Sequence, residues 1–152
     1  GVTYALLDFF EKYPMQLSNA IVMETGGMKG QRKELVKSEV HQLLSAGTGL
    51  KQIHSEYGMT ELLSQAYSKK DGLFYCPNWM KVLIREEDDP FELVATPLAK
   101  KSGLINVIDL ANLYSCSFIA TDDIGKLNTN GSFEVLGRKD NSDLRGCSLL
   151  TV

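Results

Sequence analysis

The stretch EYGMTELLSQ, Glu56 to Gln65, is where the reading of this chain turns. It sets an aromatic residue, a glycine, a threonine and an acid between a run with strand character and one with helical character. Neither neighbour needs those residues for packing. Glycine and small polar residues favour turns, so the segment reads as a loop joining a strand over Lys51 to Ser55 to one or two helical turns over Glu61 to Tyr67.

Towards the N-terminus, Val2, Leu6, Phe9 and Phe10 recur at helical spacing and Pro14 closes the run, which predicts an amphipathic helix over residues 2 to 12. Ala20 to Met23 suits a short buried strand, stopped by Gly26-Gly27. From about Arg32, Leu35, Val36, Val40, Leu43 and Leu44 fall on one helical face, with Gly47 as the stop signal. Beyond Gly72 the period changes to two. Lys81 to Arg85, Phe91 to Ala95, Gly103 to Ile108, Ser117 to Thr121 and Ser132 to Leu136 read as strands, and Asn130-Gly131 as a hairpin turn. The expected class is mixed, α/β to α+β: strand-helix units followed by a small antiparallel β sheet or distorted barrel. The expected division is an α/β portion over 1–71, a β-rich subdomain over 72–140 and a short C-terminal segment over 141–152.

A chain of 152 residues fits one ordinary domain and can bury roughly two thirds of its unfolded surface. Its hydrophobic content of 43%, charged content of 23% and net charge of -3 give no electrostatic reason to expect a nucleic-acid partner. No apolar run approaches the roughly 20 residues of a membrane helix, and no signal peptide opens the chain, so it reads as cytoplasmic. The three cysteines, Cys76, Cys116 and Cys147, are widely spaced without CxxC pairing and read as free thiols.

Four segments read as turns that follow strands: ETGGMKG at 24–30, EYGMTE at 56–61, ATDDIG at 120–125 and LGRKD at 136–140. Ligands on α/β sheets collect at such strand ends. A Gly-Gly step alone is often only a turn. Together, however, the four supply the parts of a nucleotide pocket. Gly26 and Gly27 leave room for a flat heterocycle and Tyr57 offers a ring. Thr60 offers a hydroxyl for phosphate, and Glu61 the hard oxygen that Mg²⁺ prefers. Asp123 offers acceptors for a ribose diol, and Arg138 a fork of donors for ribose or phosphate.

The Tyr-Gly-x-Thr-Glu, Thr-x-Asp and Gly-Arg-x-Asp turns, in this order, resemble the later motifs of the adenylate-forming superfamily of acyl-CoA synthetases, luciferases and adenylation domains. More narrowly, METGGMKGQ, EYGMTELLSQ, VIDLANLYSCSFIATDDIG and LGRKDNSDLRGCSLL are similar to the acyl-protein synthetases (LuxE-type) of bacterial-luminescence fatty-acid reductases. The resemblance covers most of residues 20 to 150. It implies the C-terminal part of the superfamily's large domain, and an ATP- and Mg²⁺-dependent ligase that converts a carboxylate, fatty or otherwise, to an acyl-adenylate and passes the acyl group to a thiol. On the matching positions, Gly26, Gly27 and Met28 would line the adenine site and Tyr57 would stack on the base, with Gly58 and Met59 beside it. Thr60 would touch phosphate, Glu61 would hold Mg²⁺, Asp123 would bind the ribose hydroxyls, Arg138 would reach ribose or phosphate, and Asp140 would mark a hinge. An acyl reductase or acyl carrier protein is the implied partner.

Two departures qualify this. The superfamily's Ser/Thr/Gly-rich phosphate loop is absent from the sequence, so the chain is expected to be the C-terminal part of a longer enzyme and inactive alone. Only twelve residues follow Asp140, too few for the superfamily's catalytic lid, which favours acyl-protein synthetases over a phenylacetate-type acyl-CoA ligase. In the resembling enzymes a cysteine near the C-terminus accepts the acyl group, which makes Cys147 either that acceptor, with Arg145 and Arg138 lowering its pKa, or apolar filling. Cys116 reads as core, His41 as solvent-facing, His54 as a pocket-lining alternative, and Trp79 as packing. Lys29 reads as a phosphate contact or a solvated side chain, and REEDDP at 85–90 as a solvated loop. The alternative from another class is a nucleotide-binding or scaffold module that keeps the fold without the chemistry.

Overall fold

The computed structural model describes residues 1–28, 30–33, 35–94 and 101–139. Its first helix, α1 (Thr3–Lys12), turns Leu7 and Phe10 inward at helical spacing. Strand β1 (Met23–Thr25) starts where the expected strand was to end, leaving Ala20 and Ile21 exposed. Helix α2 (Lys37–Thr48) begins five residues after Arg32 and buries Val40, Leu44 and Thr48, while Val36 and Leu43 stay exposed. Its entry is fixed by the Val36 N–H donating to Glu39 Oε2 at 3.1 Å. Its stop is Gly49, left-handed at φ 73°, and not Gly47. Gly47 lies inside the helix against α1, where a Cβ would stand 2.8 Å from Phe10 Cβ.

Strand β2 (His54–Tyr57) pairs in parallel with β1, setting Met23 opposite His54 and Thr25 opposite Glu56. The expected helical turns over Glu61 to Tyr67 are not formed: the chain returns as β3 (Ala66–Ser68), antiparallel to β2. The period shows why, since Leu62, Ser64, Ala66 and Ser68 are buried and Leu63 and Tyr67 are exposed, an alternation of two that suits a strand.

The second sheet is an antiparallel meander of β4 (Met80–Arg85), β5 (Gly103–Asp109), β6 (Phe118–Leu127) and β7 (Phe133–Arg138) in that order. This gives the mixed α+β architecture with its small antiparallel sheet. Phe91 to Ala95 does not form a strand within the described residues: Phe91 is 94% exposed and a lone bridge joins Leu93 to Arg85. ATDDIG is not a turn but the middle of β6, and the Leu136–Arg138 part of LGRKD belongs to β7. Aspartate and glycine are turn formers in isolation, but here the strand's neighbours select them. A Cβ at Gly125 would lie 2.6 Å from Ile105 Cδ1 and 2.8 Å from the Glu134 carbonyl, so only glycine lets β6 pass there. The β6–β7 hairpin turns over Asn128–Ser132 with Gly131 at φ 81°, as its Asn-Gly pair predicts.

One apolar core lies between the helices and the first sheet, around Leu7, Phe10, Met28, Leu44 and Ile53. A second joins the sheets. Phe74 and Phe133 exchange main-chain hydrogen bonds of 2.8 and 3.0 Å, and their rings stack at 5.4 Å, with Tyr57 edge-on to both. Among the described residues no helix is long and apolar enough to cross a membrane.

Candidate functional site

Because β1 and β2 are parallel, their C-terminal ends open on the same edge, and the Gly26-Gly27 and Gly58–Glu61 segments leave side by side. Gly26 takes φ 73°, and a Cβ at Gly27 would meet nothing within 4 Å, so the edge is open above that peptide. Met28, by contrast, is 1% exposed and turns its side chain into the α1–α2 core.

Beneath this edge lies a buried acid that the sequence reading passed over. Glu24 is 0% exposed; its Oε2 accepts from the Thr3 hydroxyl at 2.6 Å and its Oε1 faces Lys37 Nζ at 2.7 Å. His41 Nε2 stands 3.5 Å from Glu24 Oε1 and 2.9 Å from Ser55 Oγ, so His41 faces the sheet rather than solvent. Burial pushes the Glu24 carboxyl up, but the hydrogen bonds of His41, Lys37 and Ser55 and the charge of Lys37 outweigh it and hold the pKa at about 2. The Thr3 hydroxyl also lies 3.0 and 3.3 Å from the Thr25 and Gly26 carbonyls, tying the network to the glycine turn. The available signal was a lone acid at the end of an otherwise apolar run, with Lys37 and His41 four residues apart on one helical face.

The second sheet meets this edge through three side chains. Tyr57 is buried, and its hydroxyl donates to Asp123 Oδ2 at 2.8 Å. Asp123 and Arg138 are direct cross-strand partners, with Arg138 Nε 3.4 Å from Asp123 Oδ1 and its Nη2 3.9 Å from Asp122 Oδ2. Thus the C-terminal ends of β2 and β7 meet the middle of β6, and Gly26 lies beside them through the β1–β2 pairing. The Tyr57 ring is packed edge-on to Phe74 and Phe133, so this side chain reaches the site through its hydroxyl and not through an open ring face. Gly58 lies under Gln65, and Met59 packs on the inter-sheet core.

Thr60 and Glu61 are exposed at the tip of the turn, the Thr60 hydroxyl donating to Glu61 Oε2 at 3.2 Å. Among the described residues no group of three or more His, Cys, Asp or Glu could hold a metal ion. Glu61 offers one exposed carboxylate, the hard-oxygen type of ligand that Mg²⁺ takes beside phosphate and water.

Asp140, Cys147, Lys29 and Arg145 lie outside the described residues. Cys116 is exposed, its thiol donating to the Phe118 carbonyl at 3.1 Å, and is not core: it stands in the loop before β6, outside the ladder that would have buried it. Cys76 is half-buried, and burial pushes its thiol up to about 11. Trp79 is half-exposed and donates through Nε1 to Ser64 Oγ at 2.9 Å.

No protein-family model and no curated protein sequence matches the chain. Solved structures do resemble it in fold. Apo MatB from Rhodopseudomonas palustris superposes on 93% of this chain with a TM-score of 0.56 at 16% identity. Unliganded O-succinylbenzoate coenzyme A synthetase from Bacillus subtilis covers 96% with a TM-score of 0.61 at 18% identity. The same synthetase in complex with ATP and magnesium ion covers 96%, with a TM-score of 0.61 at 19% identity. The chain spans about a third of each: 34%, 34% and 32% of their lengths. It has the fold of that part of these enzymes.

Proposed function

We propose that this chain is the adenosine-side part of an ATP-dependent, adenylate-forming ligase of acyl-protein synthetase type, one that activates a fatty or other carboxylate and passes the acyl group to a thiol. The observation that carries the reading is the meeting of Tyr57, Asp123 and Arg138 beside the Gly26-Gly27 edge, on a fold shared with coenzyme A synthetases. Asp123 would accept from the ribose hydroxyls, and Arg138 would donate to ribose or phosphate. Gly26 and Gly27 would leave space for the base, with Gly58 and Met59 framing it. Thr60 would donate to phosphate. Glu61 would hold Mg²⁺, which when bound would offset charge gathering on the phosphate during adenylation. Asp140 would be the hinge and Cys147 the acyl acceptor, its thiolate attacking the carbonyl of the mixed anhydride as AMP leaves. An acyl reductase or acyl carrier protein would then receive the acyl group. The names of the solved relatives favour coenzyme A as an alternative thiol.

A second reading has its own observation. Asp123 is already engaged by Tyr57 and Arg138, and the Tyr57 ring is buried, which suits a module that keeps the fold and serves as a scaffold for a reductase or carrier protein. Calorimetric titration of the chain with AMP separates the two. Under the first reading AMP binds and Asp123→Ala weakens it by roughly tenfold or more, the worth of a charge-assisted hydrogen bond. An affinity that Asp123→Ala leaves unchanged removes the ribose assignment.

A further inference from the structure

The turn that carries Thr60 and Glu61 belongs to no helix or strand, and within it a main-chain bond runs from the Leu62 N–H to the Met59 carbonyl at 3.1 Å. It is held instead from the other sheet. Asp109, the last residue of β5, is 0% exposed; its Oδ2 accepts from the Leu63 and Ser64 N–H groups, both at 2.9 Å. Its Oδ1 accepts from the Ser64 hydroxyl at 2.6 Å and the Ala111 N–H at 3.1 Å. Asn112, 5% exposed, donates through Nδ2 to the Glu61 carbonyl at 2.8 Å and to the Cys116 carbonyl at 2.9 Å, while Ser115 Oγ donates to its Oδ1 at 2.5 Å. Burial pushes the Asp109 carboxyl up, but the bonds from Ser64, Leu63 and Ala111 hold it below its ordinary range.

We infer that Asp109 and Asn112 are positioning residues for the Thr60–Glu61 turn: they fix its main chain from the end of β5 and the loop after it while the Glu61 carboxylate stays exposed for a metal-bound phosphate. This rests on the adenylate reading of Glu61. An exposed turn loses conformational freedom when it orders around a ligand, and a main chain already pinned at Glu61, Leu63 and Ser64 has less to lose. Asp109 supplies four acceptor bonds from a carboxylate that water does not reach, so the pinning persists at neutral pH.

The test is amide hydrogen exchange and calorimetric titration on the 152-residue chain, with AMP and Mg²⁺ as the probe. Asp109→Asn turns an amide towards donors. It is expected to speed exchange at Leu63 and Ser64 by at least about tenfold and to weaken AMP by a similar factor. Asn112→Ala, which leaves the Asp109 bonds in place, is expected to weaken AMP without that change in exchange. Leu7→Ala in α1 lowers stability through the other core, between the helices and the first sheet, and is expected to move neither. AMP affinity within twofold of wild type in both clamp variants overturns the inference, as does an equal loss in Leu7→Ala. Failure of the wild-type chain to bind AMP instead sinks the adenylate reading. In that case unchanged exchange in Asp109→Asn overturns the clamp as well, and accelerated exchange supports it.

Discussion

Glu24 shows what one residue contributes here. Its carboxylate is wholly buried yet ionised, held at about 2 by Lys37, His41 and Ser55 against an ordinary value of 4.5. Because the folded value lies below the unfolded one, the stabilisation is fully present above about pH 4.5 and is lost as pH falls towards 2. The difference corresponds to ~3 kcal/mol. Thermal unfolding between pH 7 and pH 2.5 should show this loss in wild type, whereas Glu24→Gln should start lower and fall less over the acid range. A parallel pH profile in the two proteins would show that Glu24 is not the titrating group. The sequence carried the identity of this acid but not its partners, since Thr3 of α1, Lys37 and His41 of α2 and Ser55 of β2 are brought to it only by the fold.

At the scale of elements, local pattern was reliable where one face dictates the residue. The β4, β5 and β7 strands lie close to their expected positions because alternating apolar residues have one burial-compatible register. It misled where a residue serves a neighbouring element. Gly47 reads as a stop, yet it is the close contact of α2 with α1. Gly47→Ala should gain about 1 kcal/mol of helix propensity, but its Cβ would stand 2.8 Å from Phe10 Cβ and 3.1 Å from the Phe10 carbonyl. Overpacking of that kind costs about 1–3 kcal/mol, so the clash decides the sign and the variant should be less stable in urea unfolding. A more stable Gly47→Ala would mean that the helices separate freely.

Across the whole molecule, two small sheets share the Tyr57, Phe74 and Phe133 core, and that junction brings the glycine edge, the Thr60–Glu61 turn and the Asp123–Arg138 pair together. Among the described residues no Ser/Thr/Gly-rich loop stands free as a triphosphate cradle. The short run Ser45-Ala46-Gly47-Thr48-Gly49 has the composition of one but is spent on the end of α2, with the Thr48 hydroxyl donating to the Leu44 carbonyl at 2.6 Å. The isolated chain should therefore give no carboxylate-dependent pyrophosphate exchange above background, and substantial exchange would refute the view that the β and γ phosphates of ATP need residues from elsewhere. The sequence by itself determined the two N-terminal helices, the β-rich second half and the residue types at the candidate site, because periodicity and turn chemistry are local. Only the tertiary structure decided that ATDDIG and Leu136–Arg138 run within adjacent strands, that Tyr57 lends a hydroxyl rather than a ring, and that Asp109 and Glu24 are buried acids. Those outcomes depend on contacts between residues dozens of positions apart, which no local pattern encodes.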